Sequence, residues 1–169
     1  MSFESDIPDL AGREALWMGG RLLVVHHAPA AGATEPCVTE SWLHVGQGPE
    51  EYRHRYVDFL YFLLEGHLTF NVEGRISELR PGTSLFVPRG TRHTYRVDGP
   101  TRARILIMGT PGQPWVDYVR AIGSPATAAS MPPPDVRLVP MDYLKRVAVA
   151  NGLEFTGPRL AGASRGGDA

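Results

Sequence analysis

Residues 82–97 read GTSLFVPRGTRHTYRV, and this stretch decides the fold. Its fixed points are Gly82, Pro88, Gly90 and His93, separated by five, one and two residues. Gly82 suits a tight turn into a strand, and Pro88 can end that strand because proline has no backbone N–H for a β-ladder. Gly90 permits the unusual backbone conformation of the next turn, and the strand that follows directs His93 to one face. The stretch therefore predicts two strands, the second carrying an inward-facing histidine.

The two-residue alternation continues on both sides of this stretch. Short apolar segments separated by glycine and proline are typical of an all-β protein. We predict strands over 21–27, 38–45, 52–54, 60–64, 68–72, 84–87, 93–97 and 104–108. Eight short strands favour a barrel or jelly roll.

After Pro114 the apolar spacing becomes helical and stops at Gly123, and a second amphipathic helix ends at Asn151-Gly152. The proline-rich segment between the two helices is expected to be an extended linker. We divide the chain into an N-terminal arm with the first strands (1–34), a barrel core (35–112), helices with a linker (113–158) and a disordered tail (159–169).

Composition excludes several classes of partner. The net charge of −1 provides no basic field for nucleic acid or an anionic membrane surface. Cys37 is the only cysteine, which excludes an internal disulfide framework and a cysteine-rich zinc site. The N-terminal MSFESDIPDL is acidic and lacks the apolar core of a signal peptide, so we expect a cytoplasmic protein.

The spacing from Gly82 to His93 resembles the second motif of the cupin family, G-x5-P-x-G-x2-H. The family's first motif, G-x5-H-x-H-x3,4-E-x6-G, is present in frame but altered. Counting back from Gly66 puts the glutamate position on Phe59, the second histidine on His54 and the first on Tyr52. The resemblance implies a double-stranded β-helix, a small-molecule pocket inside it, often a dimer, and in most members a divalent metal held by three histidines and one glutamate.

Two of the four metal ligands are replaced in this chain. Alternation places Tyr52 and His54 on the inward face, whereas Asp58 faces away from Phe59 and substitutes poorly for the lost glutamate. Two imidazoles without a carboxylate are a weak site for an oxygenase iron. We therefore expect no bound metal; an Fe, Ni or Zn ion, if one binds, would use His54, His93 and Tyr52.

We predict that Tyr52, His54 and His93 are catalytic, because histidine titrates near neutral pH and a phenol can donate a proton. The alternative is that the three are relics that only hydrogen-bond one another in the core. The aromatic residues expected to line the pocket are Phe59, Tyr61, Phe70, Tyr95 and Trp42. Trp42 lies on the strand face that also carries Glu40 and His44, and the sequence leaves open which face of 38–45 is inside.

The stretch Asn151-Gly152-Leu153-Glu154-Phe155-Thr156-Gly157-Pro158 also resembles the tail of actinobacterial cupins similar to quercetin dioxygenases, and related single-domain members are cyclases or oxygenases in polyketide pathways. We predict an enzyme performing non-oxidative acid/base chemistry, a cyclase, isomerase or dehydratase, on a small hydrophobic, polyketide-like molecule. The alternatives are a metal-dependent dioxygenase or oxidase and a non-catalytic ligand-binding cupin. We expect a homodimer, because a small barrel leaves a sheet face and edge strands to cover, and no nucleic acid or membrane partner.

Overall fold

Two antiparallel β-sheets that share one core form the body of the protein. The computed structural model describes residues 7–162. The strands are β1 (Glu14–Met18), β2 (Arg21–His27), β3 (Cys37–Leu43), β4 (Glu50–His54), β5 (Asp58–Glu65), β6 (His67–Val72), β7 (Arg75–Leu79), β8 (Ser84–Val87), β9 (His93–Asp98), β10 (Ala103–Thr110), β11 (Ser124–Pro125) and β12 (Leu153–Arg159), and the helices are α1 (Gln113–Ile122) and α2 (Met141–Ala150). One sheet has the order β11-β1-β2-β3-β10-β5-β8 and the other β12-β4-β9-β6-β7. The predicted all-β barrel with short C-terminal helices is confirmed.

All of the predicted strands are present, each ending within two residues of its expected bounds. The pattern missed β1, β7, β11 and β12. The strand β7 is largely exposed at a sheet edge, so its sequence lacks a clear apolar alternation. The strand β12 contains Gly157 and Pro158, which indicate a loop but are tolerated at an edge. It ends at Arg159, the first residue of the expected disordered tail, and residues 163–169 of that tail lie outside the described residues.

The structure also decides which face of β3 is inside. Cys37 and Leu43 belong to the inner core, and Thr39 and Ser41, which share their face, are fully buried. Trp42 points to the opposite side of the sheet, where it packs in a second apolar cluster with Ile7, Trp17, Leu22 and Val24. The expectation that Trp42 lines the barrel interior is therefore corrected: it lies in an outer cluster covered by the N-terminal segment.

The helix α1 packs against the inner core. Its buried face includes Trp115, Val116 and Val119, which all belong to the inner core cluster. The ring of Trp115 meets the ring of Phe59 edge-on, with centroids 5.3 Å apart, and its indole nitrogen donates to Thr39 Oγ1 at 3.2 Å. The helix thus holds its aromatic side chains against the interior of the barrel.

Candidate functional site

The turn that precedes β9 positions His93. Gly90 has a φ of +80°, and its backbone N–H donates to the carbonyl of His54 at 2.8 Å, which ties this turn to the end of β4. His93 is 1% exposed and lies directly opposite Tyr52 across the β4–β9 pair. Its Nδ1 is 3.0 Å from the carbonyl oxygen of Thr91. A carbonyl only accepts, so Nδ1 carries the proton and Nε2 of neutral His93 is an acceptor.

Tyr52, Tyr61 and His93 form a hydrogen-bonded chain, here called the relay. Tyr61 Oη lies 2.7 Å from His93 Nε2, and Tyr52 Oη lies 2.7 Å from Tyr61 Oη. Because His93 Nε2 accepts, Tyr61 donates to it, and Tyr52 then donates to the oxygen of Tyr61. The sequence placed Tyr61 in the pocket wall and missed its position in the middle of the relay. The available signal was a second tyrosine on the inward face of β5, two residues after Phe59.

Burial keeps every member of the relay neutral at pH 7. It lowers the pKa of His93 to about 4, against smaller opposing effects of the Thr91 carbonyl and Glu51. It also raises the pKa of the Tyr52 and Tyr61 phenols far above their usual value. The relay is therefore a line of uncharged donors and acceptors that ends at the unprotonated Nε2 of His93. Such a line can move a proton if each member passes its own proton to the next.

His54 differs from His93 because one of its nitrogens has no partner. The side chain is 1% exposed, and its Nδ1 accepts from the backbone N–H of Tyr56 at 3.3 Å. Neutral His54 then carries its proton on Nε2, which is buried and makes no hydrogen bond with the residues described. Burial and the nearby His93 lower the pKa of His54 to about 4. An unsatisfied buried N–H is costly, and such exceptions often mark functional groups.

The residues present do not fit the divalent metal that the family resemblance implies. Phe59, which replaces the ligand carboxylate, is buried, and its ring centroid lies 5.7 Å from that of His54 and 6.2 Å from that of His93. Asp58 faces outward, where it pairs with Arg89 at 2.7 Å. Within residues 7–162 no group of three or more His, Cys, Asp or Glu side chains could hold a metal ion. With His93 Nε2 bound to Tyr61, the donor set lacks both a carboxylate and a second free imidazole.

The other aromatic residues expected around the pocket fill the barrel interior. Phe59, Tyr61, Phe70 and Tyr95 are each at most 1% exposed. The Phe70 ring lies 5.2 Å from that of Tyr61 and 5.0 Å from that of Tyr95. The structure therefore brings these four predicted residues together with Tyr52, His54 and His93, as a packed aromatic core around the relay.

A cavity of about 210 Å³, here called the Arg21 pocket, lies between α1, the residues that lead into α2, and the starts of β2 and β4. Its wall includes Arg21, Tyr118 and Phe155. Arg21 connects the pocket to the aromatic core, because its Nη1 donates to Tyr95 Oη at 3.2 Å. A larger cleft of about 1030 Å³ lies on the outer side of the barrel against the 128–134 segment. Tyr52, His54 and His93 are not in the wall of either cavity.

Sequence reasoning did not single out Arg21 as a functional residue. It is the first residue of β2, directly after Gly19-Gly20, and the segment that follows it is apolar. An arginine at the start of a buried strand was the available signal, but only the fold shows that its side chain reaches Tyr95. No helix among the described residues is long and apolar enough to cross a membrane.

Comparison with known proteins agrees with this architecture. The family model described as "Cupin domain" matches residues 41–109. The chain is 28% identical over 118 residues to "Tetracenomycin polyketide synthase protein TcmJ" of Streptomyces glaucescens, covering 70% of this chain and 79% of that protein. It is 27% identical over 96 residues to "Polyketide synthase CurC" of Streptomyces cyaneus, covering 57% and 62% of the two chains.

Among solved structures, an RmlC-like cupin from Shewanella frigidimarina superposes with a TM-score of 0.53 and 22% identity, over 63% of this chain and 91% of that one. This likeness concerns the fold. Residues 41–109 therefore match the cupin domain model, and the motif around His93 and the paired sheets agree with the cupin fold of this structural neighbour.

Proposed function

We propose that the protein is a cupin enzyme that performs non-oxidative acid/base chemistry, a cyclisation, isomerisation or dehydration, on a small, largely apolar, polyketide-like molecule. The observation that carries the proposal is the relay of neutral groups from Tyr52 through Tyr61 to His93. The similarity of the chain to two proteins named for polyketide synthases supports the proposed class of substrate.

The relay supplies a base. A substrate proton moves to the oxygen of Tyr52 as the Tyr52 proton moves to Tyr61 and the Tyr61 proton moves to His93 Nε2. The substrate loses one proton and His93 gains one, so the step is balanced without an oxidant. The free Nε2–H of His54 then donates a hydrogen bond to the enolate oxygen that develops on the substrate. Return of the proton to another atom completes an isomerisation, whereas its return to a departing hydroxyl group, which leaves as water, completes a dehydration. In a cyclisation the enolate carbon bonds to a second carbonyl carbon, and the oxygen of that carbonyl takes the proton.

No metal takes part in this proposal, because the donor set around Phe59 does not fit one. Because the relay is densely packed, the side chains around it must move apart locally before a substrate can reach Tyr52. The Arg21 pocket is the natural approach, since its wall connects through Arg21 and Tyr95 to the aromatic core. Closure after binding would exclude water and strengthen the polar contacts inside.

Proton abstraction can be tested without the natural substrate. We would incubate the protein with 1-tetralone in deuterium oxide and follow exchange at the carbon next to the carbonyl by mass spectrometry. The wild type should accelerate exchange and keep doing so after dialysis against a strong chelator. Tyr52→Phe and His93→Gln should each slow it on the order of 10²–10⁴-fold.

The matched controls are Tyr143→Phe and His67→Gln, which remove a tyrosine hydroxyl and an imidazole that are at least partly exposed. Both should exchange like the wild type. A chelator-sensitive exchange rate that one specific metal restores would overturn the proposal in favour of metal-assisted chemistry.

A second candidate function is non-catalytic ligand binding. The observation that favours it is that Tyr52, His54 and His93 are each at most 4% exposed, as in a structural core. Exchange rates unchanged in both Tyr52→Phe and His93→Gln, with ligand binding retained, would decide for this candidate.

A further inference from the structure

Arg21 is a buried cation without a carboxylate partner. It is 8% exposed, and its hydrogen bond to Tyr95 Oη is made by Nη1 alone. Its Nε is buried and has no hydrogen-bond partner, and no acidic side chain of residues 7–162 forms an ion pair with the guanidinium. Arginine stays charged at any physiological pH, and buried charges are normally paired. The guanidinium can thus donate further hydrogen bonds to an anion, from Nε among other groups.

The Arg21 pocket adds further positive charge at its rim. Arg137 and Arg159 belong to its wall, are exposed, and take part in no ion pair among the described residues. The wall contains one acidic residue, Glu50, against these three arginines. An excess of positive charge around a small cleft attracts anions and raises their local concentration.

The rest of the wall is apolar and aromatic. Trp17, Tyr118 and Phe155 contribute rings, and Met18, Ile122 and Leu144 contribute aliphatic surface. Apolar walls with a few placed polar groups are typical of small-molecule sites. A volume of about 210 Å³ suits a small aromatic group or one end of a longer molecule.

We propose that the Arg21 pocket binds the carboxylate or phenolate of an aromatic, polyketide-like ligand, with the Arg21 guanidinium as the anion-binding group. The forked guanidinium suits a carboxylate, which can accept from two of its N–H groups. This inference rests on the proposed function for one point only, that the bound molecule is the substrate. Its anion would be held at Arg21 while the remainder extends past Tyr95 towards the relay.

The test is calorimetric titration of the wild type with 2-naphthoate and with its neutral analogue 2-naphthamide. The acid should bind on the order of 10–100-fold more tightly, the range expected for a hydrogen bond to a charged group. Arg21→Met should abolish this preference, and Arg21→Lys, which keeps the charge but not the fork, should keep part of it. Arg75→Gln removes an exposed arginine on β7 and should change nothing.

Circular dichroism and thermal melts of each variant verify that the barrel remains folded. If Arg21→Met fails to fold, the preference of the wild type and its reduction in Arg21→Lys carry the test. Equal affinity of the wild type for the acid and the amide, or a preference that survives in folded Arg21→Met, would overturn the inference.

The same variants separate this inference from the proposed function. Tyr52→Phe should lose exchange into 1-tetralone yet bind 2-naphthoate like the wild type. If Tyr52→Phe and His93→Gln keep exchange while Arg21→Met loses the acid preference, the proposed reaction is wrong and the anion site stands. If exchange depends on Tyr52 but the acid preference is absent, the reaction stands and the anion site is wrong.

Discussion

Removing the hydroxyl of Tyr61 should destabilise the protein more than removing that of Tyr52, because Tyr61 is the middle of the relay. In Tyr61→Phe the Tyr52 hydroxyl loses its acceptor and His93 Nε2 loses its donor, and both groups are buried. Each of these two buried groups costs about 1–3 kcal/mol when unsatisfied, so we expect a loss of about 2–6 kcal/mol in the free energy of unfolding. In Tyr52→Phe the bond from Tyr61 to His93 survives, and the loss should be about 1 kcal/mol.

Urea denaturation followed by circular dichroism measures these differences, with equal m-values as the check on two-state behaviour. The control is Tyr143→Phe, whose hydroxyl is on a partly exposed ring and makes a single 3.3 Å bond to the Ala121 carbonyl. Its effect should stay within about 0.5 kcal/mol. Equal losses in the two buried variants, or a larger loss in Tyr52→Phe, would refute the donor directions that the Thr91 carbonyl imposes on the relay.

The remaining predictions concern pH, metal and assembly. His54 and His93 have folded pKa values of about 4 against an ordinary 6.5, so as pH falls the unfolded chain takes up their protons first. Stability should therefore rise with pH between about 4 and 6.5, by up to about 3 kcal/mol per histidine, and a flat denaturation midpoint across that window would contradict it. The double variant Tyr52→His with Phe59→Glu should take up stoichiometric Ni, Fe or Zn by elemental analysis; no uptake would mean that the alignment of the first motif is wrong. Light scattering should find a dimer, and Phe86→Glu should shift it to a monomer, because Phe86 is 58% exposed on an outer sheet strand; a wild-type monomer at micromolar concentration would sink this.

The sequence predicts the fold and the inward set of residues well, for a physical reason. A strand alternates its side chains with a period of two, so fixing His93 and Gly66 in the family motifs also fixes the faces of Tyr52 and His54. The structure agrees: both are buried inside the barrel, while Arg53 and Arg55 point outward to Glu154.

Two features of the site lie beyond sequence reasoning because they depend on distances between strands. The relay exists only because β4, β5 and β9 bring their side chains within 2.7 Å of one another, and its direction depends on the carbonyl of Thr91. The hydrogen bond from Arg21 to Tyr95 forms only because the fold brings the start of β2 close to β9, and the order of the strands in the chain does not reveal this. The sequence also could not decide which face of β3 points into the barrel, because polar and apolar residues occur on both faces of that strand.

His54 and His93 differ in what their replacement should change. In His54→Phe an apolar ring replaces an imidazole whose Nε2–H is unsatisfied and whose other bond is 3.3 Å long, so stability should change by about 1 kcal/mol or less, in either direction. In His93→Phe the Tyr61 hydroxyl and the Thr91 carbonyl both lose a partner, so about 2–6 kcal/mol should be lost.

Exchange into 1-tetralone should fall in both variants, because the proposed mechanism uses His93 as the terminal base and His54 as the donor to the developing oxyanion. If His54 is needed for exchange but adds nothing to stability, its unsatisfied Nε2–H is a group that forms its hydrogen bond only with the ligand. If His54→Phe instead loses several kcal/mol while exchange continues unchanged, then His54 Nε2 has a structural partner such as a buried water, and the oxyanion contact must come from another residue.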